Sequence, residues 1–205
     1  MRVLACMSVA TAALVLAGCG GSSDDPADAP TVSLTAAPEI ESWSSMNGVL
    51  VPLGKTDGPK SGLWEPLTGF SHTPQGAALA AIGQSVQLAT ASDQSWSKVL
   101  SVVAASGEGR DAFAANRALI TTTGSVDDAV VPAVVGYTFA GYDDTAAAVD
   151  IVQRFPDESL ASTRTTVVWV ESDWKLDLPT AETAIGATEL AELPADMVDL
   201  EGTRK

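Results

Sequence analysis

Apolar side chains in this chain change their spacing once, and that change limits the folds open to it. Leu79, Ile82, Val86 and Ala89 recur at helical spacing after Thr73, a hydroxyl residue suited to cap a helix with Pro74 in its first turn. The spacing predicts a second helix from Asp93, with Trp96, Val99, Leu100 and Val103 as its stripe. A shorter third helix follows Gly107 and Gly109 and carries Phe113, Arg117 and Ile120. Beyond it the period becomes two. Val131, Ala133, Val135, Tyr137 and Phe139 form one face of a strand, and Val149, Ile151, Gln153 and Phe155 form a second. Thr165, Val167 and Trp169 form a third, and Trp174, Leu176 and Leu178 line a fourth. The short link through Ser172 and Asp173 predicts a hairpin. Strands in succession after helices, not alternating with them, predict an α+β fold with an antiparallel sheet.

The flanks are simpler. From Trp43 to Glu65 glycines and prolines punctuate short strand pieces, and Val49, Val51 and Leu53 alternate with Leu50 and Pro52 as an edge strand would. Beyond Pro179 an acidic tail, residues 181–205, is expected to hold a short helix around Thr188 to Leu193. Its acids Glu182, Glu189, Glu192, Asp196, Asp199 and Glu201 read as solvated surface, with attraction of a basic partner as the other reading.

The first residues read as an address. Met1 and Arg2 precede an apolar run from Val3 to Ala17, broken only by Ser8 and Thr11 and ending in Leu16, Ala17, Gly18 and Cys19. A membrane-spanning helix needs ~20 apolar residues, and this run falls short, so a cleaved secretory signal over residues 1–18 is the expectation, against an uncleaved anchor. The tetrapeptide LAGC resembles the bacterial lipoprotein signal, which implies cleavage between Gly18 and Cys19 and two acyl chains held at Cys19. Such an anchor places the remainder on the extracytoplasmic face of the cell membrane. Residues 19–42, rich in Gly, Ser, Asp, Pro, Ala and Thr, form a tether spanning on the order of 25 Å. With Cys6 discarded, Cys19 is the only cysteine left, so no internal disulfide is expected.

Composition removes other classes. The 205 residues carry 11 basic and 26 acidic side chains, a net charge of −15 that repels nucleic acid. One histidine excludes sites needing two imidazoles, and neither a metal nor a cofactor is expected. His72 is the most tempting catalytic candidate, but an imidazole beside the Thr73 cap is expected to fix the helix start through a hydrogen bond. Ser71 next to it does not make a nucleophile pair, because adjacent residues seldom align hydroxyl with imidazole. The run from Gly107 to Arg110 lacks the strand and further glycine of a phosphate loop and reads as a helix break. Asp127 with Asp128, and Asp143 with Asp144, read as solvated turns and not as calcium loops. Trp169 and Trp174 stand beside Val167 and Leu176, so packing is preferred to ligand stacking.

The order of elements, ending in VVWVESDWKLDLP, resembles the nuclear-transport-factor-2-like cone, in which helices pack into the concave side of a curved sheet of about four to five strands. The run GFSHTPQGAALAA, preceded by TDGP, is similar to a poorly characterised actinobacterial family whose first long helix is introduced by Gly69, Phe70, His72, Thr73, Pro74 and Gly76. The resemblance covers residues 43–180, expected as one cone-like domain. It implies a non-catalytic module that binds another cell-envelope protein or a small apolar ligand, as an accessory of a conjugation or secretion apparatus. The alternative is a cone-fold isomerase or hydrolase with His72 or an inward aspartate as general base.

Overall fold

The computed structural model describes residues 32–122 and 130–204. The signal segment, Gly18, Cys19 and the Asp127 and Asp128 pair lie outside the described residues.

Asn47 and Gly48, both at positive φ (49° and 94°), turn β1 (Ile40–Met46) into β2 (Val49–Gly54) as an antiparallel hairpin. Pro52 is accommodated because a two-stranded sheet always offers a free edge. The chain then loops to α1 (Pro74–Ala89), which begins where the sequence places it. The Thr73 hydroxyl accepts the Gly76 N–H at 3.0 Å and Pro74 occupies the first turn. A single apolar stripe was the expectation, yet Gly76 to Gln84 are buried all round. This is the signature of a central helix: it packs against β2 on one side and against the sheet on the other. Small side chains make that approach close. A Cβ on Gly54 of β2 would lie 2.5 Å from the Leu79 Cδ1 of α1.

Two shorter helices follow, α2 (Trp96–Val103) and α3 (Glu108–Arg117). Val99, Leu100 and Val103 are buried as their stripe predicts. The third helix stops three residues before Ile120, which is exposed, and it is Arg117 that turns inward.

Four consecutive antiparallel strands form the main sheet: β3 (Ala133–Tyr142), β4 (Ala146–Arg154), β5 (Leu160–Val170) and β6 (Asp173–Leu176). β3 starts at Ala133, not at Val131, since Pro132 has no N–H to give a ladder. β6 ends before Leu178. Two register shifts on β3, between Val134 and Gly136 and between Phe139 and Gly141, curve the sheet. The acidic tail departs from its expected course: in place of a helix over Thr188 to Leu193 it supplies β7 (Thr188–Leu190), paired with β5, and β8 (Val198–Asp199), paired with β3. The sheet therefore has six strands, ordered β6-β5-β4-β3-β8 with β7 also on β5. Val198 and Leu200 are buried and close the core beside β3, whereas Ile185 and Leu193 of the same tail are exposed. The Trp43 indole N–H donates to the Thr203 hydroxyl at 3.0 Å, and Arg204 lies over the Trp43 ring, tying the first strand to the last turn. The described residues are therefore α+β, with three α-helices and a curved antiparallel sheet.

Candidate functional site

The segment introducing α1 is braced by side chains from two sides. Ser71 and Thr73 both donate their hydroxyls to Oδ1 of Asp57, the latter at 2.8 Å. Asp57 belongs to the loop leaving β2, so one carboxylate ties that loop to the helix cap. From the other side, Asp173 accepts the backbone N–H groups of Gly69, Phe70 and Trp174 at 2.7 to 2.9 Å. Trp174 is fully buried, and its indole N–H donates to the Ser71 carbonyl at 2.9 Å. A buried carboxylate is tolerable when several donors converge on it, and here three do. Gln84, also buried, donates from its amide to the carbonyls of Leu67 and Trp174.

His72 lies outside this knot. Its ring is exposed, stacks on Trp169 at 4.0 Å and 8°, and brings Nε2 to the carbonyl oxygen of Asp144 at 2.5 Å. The expected hydrogen bond exists, though its partner is the β3–β4 turn and not the cap. The turn is itself preorganised: Asp143 accepts from the Thr145 hydroxyl and from the N–H groups of Thr145 and Ala146, which holds its carboxyl below the usual carboxylate range.

Hydrolytic or isomerase chemistry requires a base aimed at a substrate space, with a partner that orients it. The Ser71 hydroxyl donates to Asp57 and not to the imidazole, and among the described residues no carboxylate is hydrogen-bonded to His72. The Asp173 carboxylate is spent on backbone N–H groups, which leaves the Tyr137 hydroxyl as an inward group of catalytic type. It is fully buried and without a hydrogen-bond partner, and burial, aided by the charge of Asp57, pushes its ionisation up. The grooves described below do not reach it. Among the described residues no group of three metal-ligating side chains exists. Nor is Gly107 to Arg110 a phosphate cradle: Gly107 precedes α3, and Gly109 is pressed against the Leu178 carbonyl.

Among the described residues, two open grooves face solvent instead, the first adjoined by a depression at Glu108 and Gly109. One, of about 240 Å³, lies where the last turn of α1 meets Phe113 of α3, the outer edge of β5 and the segment Leu178 to Ile185. The other, of about 370 Å³, runs between the β1–β2 turn, the loop at Leu63 to Pro66 and the start of α2. On its rim the Trp64 indole is 99% exposed. A tryptophan with no contact to hide its ring is rare on a surface that only faces water.

The helix-start motif is thus brought together with Asp57, Trp169 and Trp174, whereas of the tail acids Glu189 lies on β7, Asp199 on β8, and Glu201 pairs with Arg154. Asp57, Gln84, Tyr137 and Asp173 are single residues far apart in sequence, and no local pattern announces them. The TDGP run holding Asp57 was the nearest signal.

Residues 9–202 match the family described as a domain of unknown function, DUF8175. The chain belongs to that family. No curated protein and no solved structure matches it. In this DUF8175 chain the match spans every helix and strand of the fold.

Proposed function

We propose that this DUF8175 protein is a bacterial lipoprotein, held at the extracytoplasmic face of the membrane through Cys19, whose cone-like domain is a non-catalytic interaction module for another cell-envelope protein. The observation that carries the reading is the filling of the sheet's inner face. Ala77 to Ile82 of α1 are buried and leave no room for a substrate beside them, and His72 is outside with Nε2 engaged by a backbone carbonyl. The nuclear-transport-factor-2-like likeness is supported by the order of helices before strands and by the bulged β3. A short tether would leave the domain close to the lipid surface, within reach of membrane-embedded assemblies such as conjugation or secretion channels.

The reading is tested in cells making the full chain. Radiolabelled fatty acid should label the wild type and not Cys19→Ser. Photo-cross-linking should capture the same partners with wild type and His72→Asn, since an amide retains a hydrogen bond to Asp144 but cannot act as a base near neutrality. Label on Cys19→Ser would overturn the anchor. Turnover of a screened substrate by the wild type, lost in a folded His72→Asn chain, would overturn the module.

A further inference from the structure

We infer that the groove between α1, α3 and the outer edge of β5 receives an extended, basic segment of a partner protein, which adds its backbone to β5 and seats one large apolar side chain. The inference rests on the reading of the domain as an interaction module and names the chemistry that module selects.

The first observation is a gap in the sheet edge. β6 covers Val167 to Val170 of β5, and β7 covers Leu160 to Ser162. Residues 163–165 pair with β4 on their inner edge, but among the described residues no strand pairs with them on this outer edge, because the chain leaves β5 after Asp177 and returns only at Thr188. Thr166 O accepts the Asp177 N–H on this edge, and outward groups alternate along a strand, so the N–H and C=O of Arg164 also point into the gap. An exposed strand edge of this kind is a template for a further strand.

The second observation is the size and lining of the groove that the gap opens into. Leu88, Phe113, Leu178 and Ile185 give it an apolar floor and wall, and its volume of about 240 Å³ is below the ~300–1,000 Å³ usual for whole small ligands. One anchoring side chain is the better match.

Charge gives the third. The Arg164 guanidinium at the groove is already paired bidentately with Asp150, at 2.8 and 2.7 Å. Asp177 lines the groove and Glu108 the adjoining depression, and neither forms an ion pair among the described residues. The free charge at the mouth is negative, on a chain whose net charge is −15, so the entering segment carries lysine or arginine.

Full chain in lipid nanodiscs would be titrated against fluorescein-labelled Lys-Val-Leu-Val-Lys, its glutamate-ended counterpart, and the lysine peptide N-methylated at leucine. Anisotropy should show the lysine peptide binding at least tenfold tighter than either of the others. Ala89→Trp, which fills the groove from the exposed end of α1, should weaken it at least tenfold, and Asp177→Asn should narrow the gap between lysine and glutamate peptides. Ile185→Asp, on an exposed loop residue, repeats the groove test if the tryptophan disturbs folding. Equal binding of all three peptides, or none, overturns the proposal. So does an apolar dye that saturates the groove without peptide competition, or self-association abolished by Ala89→Trp. Cross-linked envelope partners that persist in Ala89→Trp while the peptides fail to bind would leave the module reading standing and this one refuted.

Discussion

The imidazole of His72 lies parallel to the indole of Trp169, with ring centroids 4.0 Å apart, and so joins the start of α1 to the hairpin of β5 and β6. Trp169 in turn meets Trp174 edge-on at 5.4 Å, its direct cross-strand partner. His72 is exposed and Trp169 half-buried, and the contact of His72 Nε2 with the Asp144 carbonyl links the stack to the β3–β4 turn.

His72 is the only histidine, so its ring protons can be assigned without ambiguity. Stacking should move them upfield by the indole ring current, and Trp169→Leu should return them to ordinary positions. Loss of an aromatic pair worth about 0.5–1.5 kcal/mol beyond its burial should lower the thermal midpoint by a few degrees. Unmoved imidazole signals in Trp169→Leu would show that the rings do not stack in solution.

Trp174 combines complete burial with a hydrogen bond to Ser71 O. Trp174→Ala should cost ~3–5 kcal/mol in a denaturant titration. Trp174→Phe keeps most of the packing but leaves the Ser71 carbonyl without its donor, for a loss of about 1–3 kcal/mol. A midpoint unchanged in the alanine variant would place the ring at the periphery.

What the sequence disclosed and what it withheld follow from the range of the interactions involved. The start of α1 at Pro74, the stripe of α2 and the four long strands rest on contacts between near neighbours, and periodicity reports those. The strands of the tail do not: β7 and β8 have five residues between them, and their pairing depends on edges built by β5 and β3. In the same way the helix-start motif was legible as a cap, through Thr73 and Pro74, but its bracing by Asp57 and Asp173 was not. The latter carboxylate binds backbone about a hundred residues away. Ile120 shows the converse failure, since helical spacing continues past the point where Arg117 turns in to bond Ala91 O and Asp93.

Gly109 separates packing from propensity. In an exposed helix, glycine to alanine gains about 1 kcal/mol. Here the new Cβ would stand 1.7 Å from the Leu178 carbonyl oxygen, which is backbone and cannot swing aside. Gly109→Ala should therefore destabilise, by about 1–3 kcal/mol, with α3 displaced from the segment after β6. Gly107→Ala, with open space around the Cβ, is the control and should stay near neutral. Stabilisation by Gly109→Ala, read from the denaturant midpoint, would show that α3 does not rest on Leu178.

Acid should reveal the preorganised turns. The carboxyl of Asp143 is held low by the Thr145 hydroxyl and by the Thr145 and Ala146 N–H groups, and that of Asp93 by the Arg117 guanidinium and the Thr122 N–H. Because each folded pKa lies below the unfolded value near 3.9, the folded state binds fewer protons, and the stability each carboxylate contributes is present above that value. It is lost as the pH falls through the folded pKa. The destabilisation caused by Asp143→Asn should therefore be full at pH 6 and shrink towards nothing in strong acid, where the wild-type carboxyl is protonated as well. Asp93→Asn should follow the same course, with a larger effect at pH 6 because it also strands the buried Arg117. Comparing each variant with wild type at the same pH removes the general effect of neutralising an acidic surface. A variant-to-wild-type difference that stays constant from pH 6 to pH 2 would mean that Asp143 is no more acidic folded than unfolded.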